Sequence, residues 1–166
     1  MVDTRELRRL QQKLEKASNT SDVMEQIAKE MAEYLLSRVI PRTPVYAPKV
    51  INGQLYERVN GKGAGDLRKA WQEDNKNLVV HKIGNSYTIE VVNNQEYASY
   101  VEQGHNQNVG QLFPVIVDGE KEYRRLKQAY IPGQHFLYLS EQDLKRKSKS
   151  LIEKQIRNFL QEAFND

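Results

Sequence analysis

Residues 97–105 read Tyr-Ala-Ser-Tyr-Val-Glu-Gln-Gly-His, and this stretch decides how the middle of the chain folds. Its pattern predicts a short helix over residues 96–103, closed by Gly104 at the position after the last turn, where a left-handed backbone favours glycine. The stretch also brings two tyrosines, a carboxylate and a histidine together, as an active-site segment would. Two interpretations are therefore open at this point: a catalytic segment and a structural turn.

Strand patterns lie on both sides of this stretch. Residues 78–83 and 87–92 alternate between apolar and polar side chains around a Gly-Asn-Ser turn, which predicts a half-buried antiparallel hairpin. Residues 113–117 and 122–130 predict a second hairpin, with Asp118 and Gly119 as its type I′ turn. A short helix between two hairpins indicates a small antiparallel sheet.

A long helix is predicted over residues 3–40, in one piece or two, with Asp22 and Glu25 capping the second piece if it is divided. Its apolar stripe buries one face, either on the protein's own sheet or, as a coiled coil, on another subunit. The stripe consists of Leu7, Leu10, Leu14, Ala17, Met24, Ala28, Met31 and Leu35. Three prolines, Pro41, Pro44 and Pro48, end the helix and begin an extended loop over residues 41–64.

Two further helices complete the prediction. A short one follows the loop at residues 66–71, with Asp66 as its N-cap. A long C-terminal helix is capped by Ser140 with Asp143 three residues later. Its apolar stripe is Leu144, Leu151, Ile152, Ile156, Phe159, Leu160 and Phe164. The fold class is therefore α+β: a small antiparallel sheet of two hairpins, packed with long N- and C-terminal helices, in a single domain over residues 1–166.

The composition limits the possible partners. A net charge of +3 is weak for a nucleic-acid-binding protein, although residues 121–127 and 145–149 are locally basic. The sequence has no apolar run of the ~20 residues that span a bilayer, so we expect no membrane partner. It has no cysteine, which excludes disulfides and thiol chemistry, and it begins with charged residues, so we expect it to be made in a cytoplasm.

Three candidate chemistries are weak. The glycine-rich residues 61–66 lack the spacing and the hydroxyl residue of a phosphate-binding loop. The three histidines do not have the spacing of a metal site. Glu102 and His105 could form an acid–base pair beside Ser99, but one short helix rarely supplies a whole catalytic set. We expect no enzyme activity, no catalytic or metal-binding residues and no cofactor.

Three elements in order resemble a known family. Residues 97–105 resemble a signature of the tail-component family of tailed phages, whose members are also called tail completion or head–tail joining proteins. Residues 65–71 match the element that comes before it in that family, and residues 132–137 match the one that comes after. The resemblance covers roughly residues 20–162 and is closest to the version in contractile, PBSX-like phages. We expect a structural or interface role for Gly65, Leu67, Arg68, Trp71, Tyr97, Ala98, Val101, Glu102, Gly104, His105, Pro132, Gly133, His135 and Phe136.

The resemblance implies a structural virion protein of the neck or tail end. Its implied form is a homo-oligomeric ring, with six subunits as the expected number, and its partners are a head-completion protein, a tail terminator and the tail tube or sheath. DNA would pass through the lumen without specific contacts. Within the subunit, we expect Arg68 and Glu102 to form an ion pair. The alternative is an interaction or nucleic-acid-binding module that uses the basic segments 121–127 and 145–149.

Overall fold

The computed structural model describes residues 8–9, 12–13, 15, 20–57 and 65–164, and it is α+β, as predicted. Four helices are described: α1 (Thr20–Arg42), α2 (Asp66–Asp74), α3 (Ala98–Gln103) and α4 (Phe136–Phe164). The eight strands are β1 (Lys49–Ile51), β2 (Gln54–Glu57), β3 (Val80–Ile83), β4 (Ser86–Ile89), β5 (Gly104–Asn106), β6 (Leu112–Val117), β7 (Glu120–Arg125) and β8 (Tyr130–Pro132). No helix of this described part is long and apolar enough to cross a membrane.

The contacts divide the chain into two compact units. Unit 1 combines Met1–Leu35, Asn77–Val91 and Glu141–Asp166, and unit 2 combines Leu36–Lys76 and Val92–Ser140. Helices α1 and α4 each contribute to both units. That residues 1–166 form a single domain stays a prediction.

Unit 1 contains the β3–β4 hairpin, which was predicted from residues 78–92, with parts of α1 and α4. Its buried apolar residues are Val23, Ile27, Ala32, Leu151 and Ala163. The predicted stripe on α1 is therefore displaced, since Met24 is 40% exposed whereas Val23 and Ile27 are buried. The first half of that stripe, Leu7, Leu10, Leu14 and Ala17, lies outside the described residues.

Unit 2 contains a four-stranded antiparallel sheet in the order β1-β2-β6-β7. The loop predicted over residues 41–64 contains the β1–β2 hairpin, whose turn residues Asn52 and Gly53 both have positive φ, 52° and 82°. This is the type I′ geometry that Asn-Gly favours, so the sequence did carry the signal. The predicted type I′ turn at Asp118 and Gly119 is confirmed, with φ of 50° and 87°.

Four predicted boundaries in unit 2 are wrong. Pro41 does not end the N-terminal helix, because it lies inside α1, which continues to Arg42. The strand predicted over residues 122–130 is divided, because β7 ends at Arg125 and the separate strand β8 begins at Tyr130. Asp66 lies in the first turn of α2, and the N-cap is Gly65, at φ 89°. Ser140 does not begin the C-terminal helix: α4 begins at Phe136, and the fully buried Ser140 hydroxyl donates to the Phe136 carbonyl at 2.6 Å.

Candidate functional site

The residues singled out from the sequence all lie in unit 2, on three segments. These are α2 with the preceding Gly65, the α3–β5 segment at residues 97–105, and the β8–α4 segment at residues 132–136. The last two pair directly, because β5 and β8 are antiparallel with Gly104 opposite Pro132 and His105 opposite Ile131. Two sequence motifs almost thirty residues apart therefore form one structural site.

Gly104 and Gly133 lie where the backbones of these two segments approach each other closely. A Cβ on Gly104 would lie 2.5 Å from the Tyr130 hydroxyl oxygen and 2.7 Å from the Gly133 nitrogen. A Cβ on Gly133 would lie 2.5 Å from the Gln103 carbonyl carbon and 2.8 Å from the Gly104 nitrogen. Gly104 also has a φ of 85°, which disfavours side chains by itself. We call this backbone-to-backbone approach the glycine contact.

The carbonyl groups at the end of α3 are satisfied by the β8–α4 segment. The Gln134 N–H donates to the Val101 carbonyl at 2.8 Å, and the His135 N–H donates to the Glu102 carbonyl at 3.1 Å. The Tyr130 hydroxyl donates to the Gln103 carbonyl at 2.9 Å. The last carbonyls of a helix have no partner inside it, so these three bonds end α3 and fix the second segment on it.

Glu102 caps α4 from outside that helix. Its Oε2 accepts a hydrogen bond from the Leu137 N–H and its Oε1 accepts one from the Tyr138 N–H, each at 2.9 Å. An N-cap residue of the helix itself usually provides this acceptor. The residue before α4 is His135, at φ 53°. A carboxylate at this position also interacts favourably with the partial positive charge of the helix N-terminus.

Arg68 binds backbone carbonyl groups at the C-terminal end of α1, as Glu102 binds backbone N–H groups at the start of α4. Its guanidinium donates to the Thr43 carbonyl, at 3.2 Å from Nε and 2.7 Å from Nη2, and to the Pro41 carbonyl at 3.3 Å. The predicted ion pair between Arg68 and Glu102 is therefore wrong. In the described part of unit 2, each of the two charges satisfies the backbone at a different helix end.

The remaining motif residues of α2 and α4 belong to the core of unit 2. Leu67, Trp71 and Phe136 are buried, at 3%, 3% and 2% exposure. The Trp71 and Phe136 rings meet edge to face, with centroids 6.4 Å apart and planes at 78°. This arrangement suits the ring quadrupoles and adds to the area that the rings bury. These residues are used for packing between α2 and the first turn of α4.

The histidines and the remaining residues of the α3 motif do not assemble an acid–base pair. The His105 ring contacts the Tyr100 ring edge to face at 5.6 Å, and its Nε2 lies 3.4 Å from Nε2 of Gln107. Both carboxylate oxygens of Glu102 are occupied by backbone N–H groups of α4. Tyr97, Ala98 and Val101 take part in the backbone hydrogen bonds of the turn that begins α3. His135 is exposed. Among the described residues, no group of three or more potential ligands could hold a metal ion.

Asn75 is a structural residue of this region that the sequence did not reveal. Its buried side-chain amide donates to the carbonyls of Trp71, at 2.8 Å, and Val92, at 2.7 Å. Its side-chain oxygen accepts from the Val92 N–H at 2.9 Å. Asn75 directly follows α2, so its side chain connects the end of that helix to residue 92. A lone asparagine after a helix has no signal that distinguishes this role from an ordinary cap.

Comparison with known proteins gives one result. A family model described as "Bacteriophage HK97-gp10, putative tail-component" matches residues 8–104. No curated protein and no solved structure matches the chain. The matched range includes the motifs at residues 65–71 and 97–104 and ends before residues 132–136, which the glycine contact and the Glu102 cap attach to it. Because the match covers more than half of the sequence, the chain belongs to the HK97-gp10-like family of bacteriophage tail components.

Proposed function

We propose that this tail component is a structural ring subunit that completes the tail at its head-proximal end and joins it to the head-completion complex. The observation that carries the proposal is the family match over residues 8–104. The use of the motif residues supports it, because Glu102, Arg68 and Trp71 are engaged in helix capping and core packing.

The proposed ring has six subunits, and its neighbours are a head-completion protein, a tail terminator and the tail tube or sheath. DNA passes through its lumen without specific contacts. The charge pattern supports passage rather than tight binding, since acidic side chains lie beside the basic ones. Glu122 pairs with Arg124 at 2.6 Å, and Asp143 pairs with Arg146 on α4. The subunit assembles in the host cytoplasm and ends in the virion.

Electron microscopy of particles made without this protein tests the joining role. We expect DNA-filled heads without tails beside free tails, because each half would assemble and the connection would be missing. Supplying the wild-type protein from a second gene copy should restore joined particles. Joined, infectious virions made in its absence would contradict the proposal.

The alternative, a nucleic-acid-binding module, makes a different prediction for the purified protein. Affinity for DNA should then fall steeply with salt, since each phosphate contact releases counterions and contributes a slope of roughly 0.9 in log–log form. For a ring through which DNA only passes, we expect weak binding and a shallow slope. Fluorescence anisotropy with a labelled duplex at several salt concentrations distinguishes the two.

A further inference from the structure

The last turns of α4, in unit 1, expose an apolar surface. Ile156, Leu160 and Phe164 follow one another at intervals of four and are 43%, 45% and 42% exposed. They line an open groove together with Glu153, Arg157 and Gln161. These three apolar residues were predicted to be buried as part of the stripe of the C-terminal helix, and they are not. We call Ile156, Leu160 and Phe164 the helix surface.

One segment of the chain is bound at the end of the helix surface. The Lys13 ammonium donates a hydrogen bond to the Phe164 carbonyl at 2.9 Å. Phe164 is the last residue of α4, so its carbonyl has no donor inside that helix. A cation at this position also interacts favourably with the partial negative charge of the helix C-terminus. The bond brings residues 7–15, which we call the N-terminal segment, to the last turn of α4.

The described residues of the N-terminal segment show which of its sides faces solvent. Residues 8–9, 12–13 and 15 are helical, and four of them are exposed: Arg8, Arg9, Gln12 and Glu15. With about 3.6 residues per turn, these four lie within about one third of the circumference of the helix. The spacing of Leu7, Leu10 and Leu14, which belong to the predicted stripe, assigns them to the opposite side. Lys13 lies between the two sides, next to Leu10 on the helix.

We propose that Leu7, Leu10 and Leu14 pack on the helix surface, so that the chain covers the apolar end of α4 with its own N-terminal segment. The bond from Lys13 to the Phe164 carbonyl supports this, because it turns the side that carries Leu10 towards α4. The lengths agree. At about 1.5 Å per residue, a helix rises about 10 Å from residue 7 to residue 14 and about 12 Å from residue 156 to residue 164.

A segment of the same chain is favoured over a separate molecule as the occupant of the helix surface. The N-terminal segment is joined to α1 by the chain and is held at the end of α4 by Lys13, so its effective concentration near the helix surface is high. The contact removes an exposed apolar patch that would otherwise promote association of free subunits. The inference concerns the single subunit and does not depend on the proposed ring.

Site-directed crosslinking tests this contact, and the chain has no native cysteine to interfere. In the variant with Leu10→Cys and Leu160→Cys, a short bifunctional maleimide should join the two cysteines, which mass spectrometry detects as a linked pair of peptides. Gln12→Cys with Leu160→Cys is the matched control. Because Gln12 lies on the exposed side of the N-terminal segment, this pair should give no link. The absence of a link between positions 10 and 160 would overturn the proposal.

A mixture of unlabelled and ¹⁵N-labelled double variant distinguishes links within one chain from links between two copies. We expect every linked pair of peptides to carry a single label, because both cysteines belong to the same subunit. Pairs that combine the two labels would identify a second copy as the occupant of the helix surface and would overturn the proposal.

Charged substitutions test the same contact without a reagent. Leu10→Glu and Gln12→Glu add the same charge to opposite sides of the N-terminal segment. Leu10→Glu should speed amide hydrogen exchange in residues 156–164 by roughly tenfold or more, since burial of one leucine contributes at least that factor to an equilibrium constant. Gln12→Glu should leave this exchange unchanged, and neither variant should alter the size of any oligomer that the wild type forms. Equal exchange in the two variants, or disassembly of such an oligomer by Leu10→Glu alone, would overturn the proposal.

Discussion

At Gly104 and Gly133 two chain segments touch through their backbones, so neither position has room for a Cβ. We expect Gly104→Ala and Gly133→Ala each to lower the free energy of unfolding by about 2–4 kcal/mol, because the added carbon must force the segments apart. For a chain of this size that corresponds to a decrease in Tm of roughly 5–15 °C. Differential scanning calorimetry measures the change.

Gly110 provides the matched control for Gly104. Its φ of 86° is nearly the same as the 85° of Gly104, but a Cβ at Gly110 would meet nothing within 4 Å. Gly110→Ala should therefore show only the backbone strain, about 1 kcal/mol. Equal losses at the two positions would mean that conformation alone, and not the contact with the β8–α4 segment, requires glycine.

Glu102 and Arg68 should act independently, because they serve different helix ends. Glu102→Ala removes both acceptors of the α4 cap and should cost about 1–3 kcal/mol, with a smaller loss for Glu102→Gln, which keeps one oxygen. Arg68→Ala should cost a similar amount, and the double variant should equal the sum within about 0.5 kcal/mol. Urea denaturation of the four proteins measures the cycle. A coupling energy well above that limit would restore the ion pair predicted from the sequence.

For single residues, the sequence predicted backbone conformation better than it predicted hydrogen-bond partners. The positive φ at Gly104 follows from a local rule, since glycine is favoured where a helix ends, although its ψ of 172° is extended and differs from that of the left-handed cap the rule describes. The partner of Glu102 does not follow from any local rule, because its donors, the Leu137 and Tyr138 N–H groups, are 35 and 36 residues away. The ion pair between Arg68 and Glu102 was predicted from their opposite charges. Each side chain instead binds backbone groups that have no partner inside their own helix, at two different helix ends.

Among the elements, α2 depends on Asn75 for its attachment to residue 92. We expect Asn75→Ala to cost about 2–4 kcal/mol, since it leaves the Trp71 carbonyl, which is buried, and the half-buried N–H and carbonyl of Val92 without this partner. Asn75→Asp should be at least as harmful, because its carboxylate cannot donate to the carbonyls of Trp71 and Val92. Thermal unfolding followed by circular dichroism tests this. A variant as stable as the wild type would show that the bonds at Asn75 are replaced by water.

The elements themselves were largely predictable, with specific exceptions. The β3–β4 and β6–β7 hairpins follow from alternation and turn residues. The β1–β2 hairpin was missed because three prolines and a glycine-rich segment around it indicated a loop, although Asn52-Gly53 is a strong turn signal. The start of α4 was placed too late because Ser140 and Asp143 imitate a capping box. The hydroxyl of Ser140 instead bonds backward to the Phe136 carbonyl inside the helix.

For the whole molecule, we expect one cooperative unfolding transition. Two units are distinguishable by their contacts, but α1 and α4 are each continuous across the division, so neither unit is a separate length of chain. Calorimetric and van't Hoff enthalpies should therefore agree within error for the free subunit. Two resolved transitions would contradict the single domain predicted over residues 1–166.

The cap on α4 also has a consequence for the order of folding. The N–H groups of the opening turn of a helix have no acceptor inside the helix, and at α4 their acceptor, Glu102, lies on another element. Bringing Glu102 to Leu137 closes a loop, at an entropic cost on the order of 3 kcal/mol. Pairing of β5 with β8 must recover that cost before the cap can form. We therefore expect the nascent chain to form the later turns of α4 first and its opening turn only after residues 130–135 have docked on α3, so that the length of the helix reports whether the middle of the chain has folded.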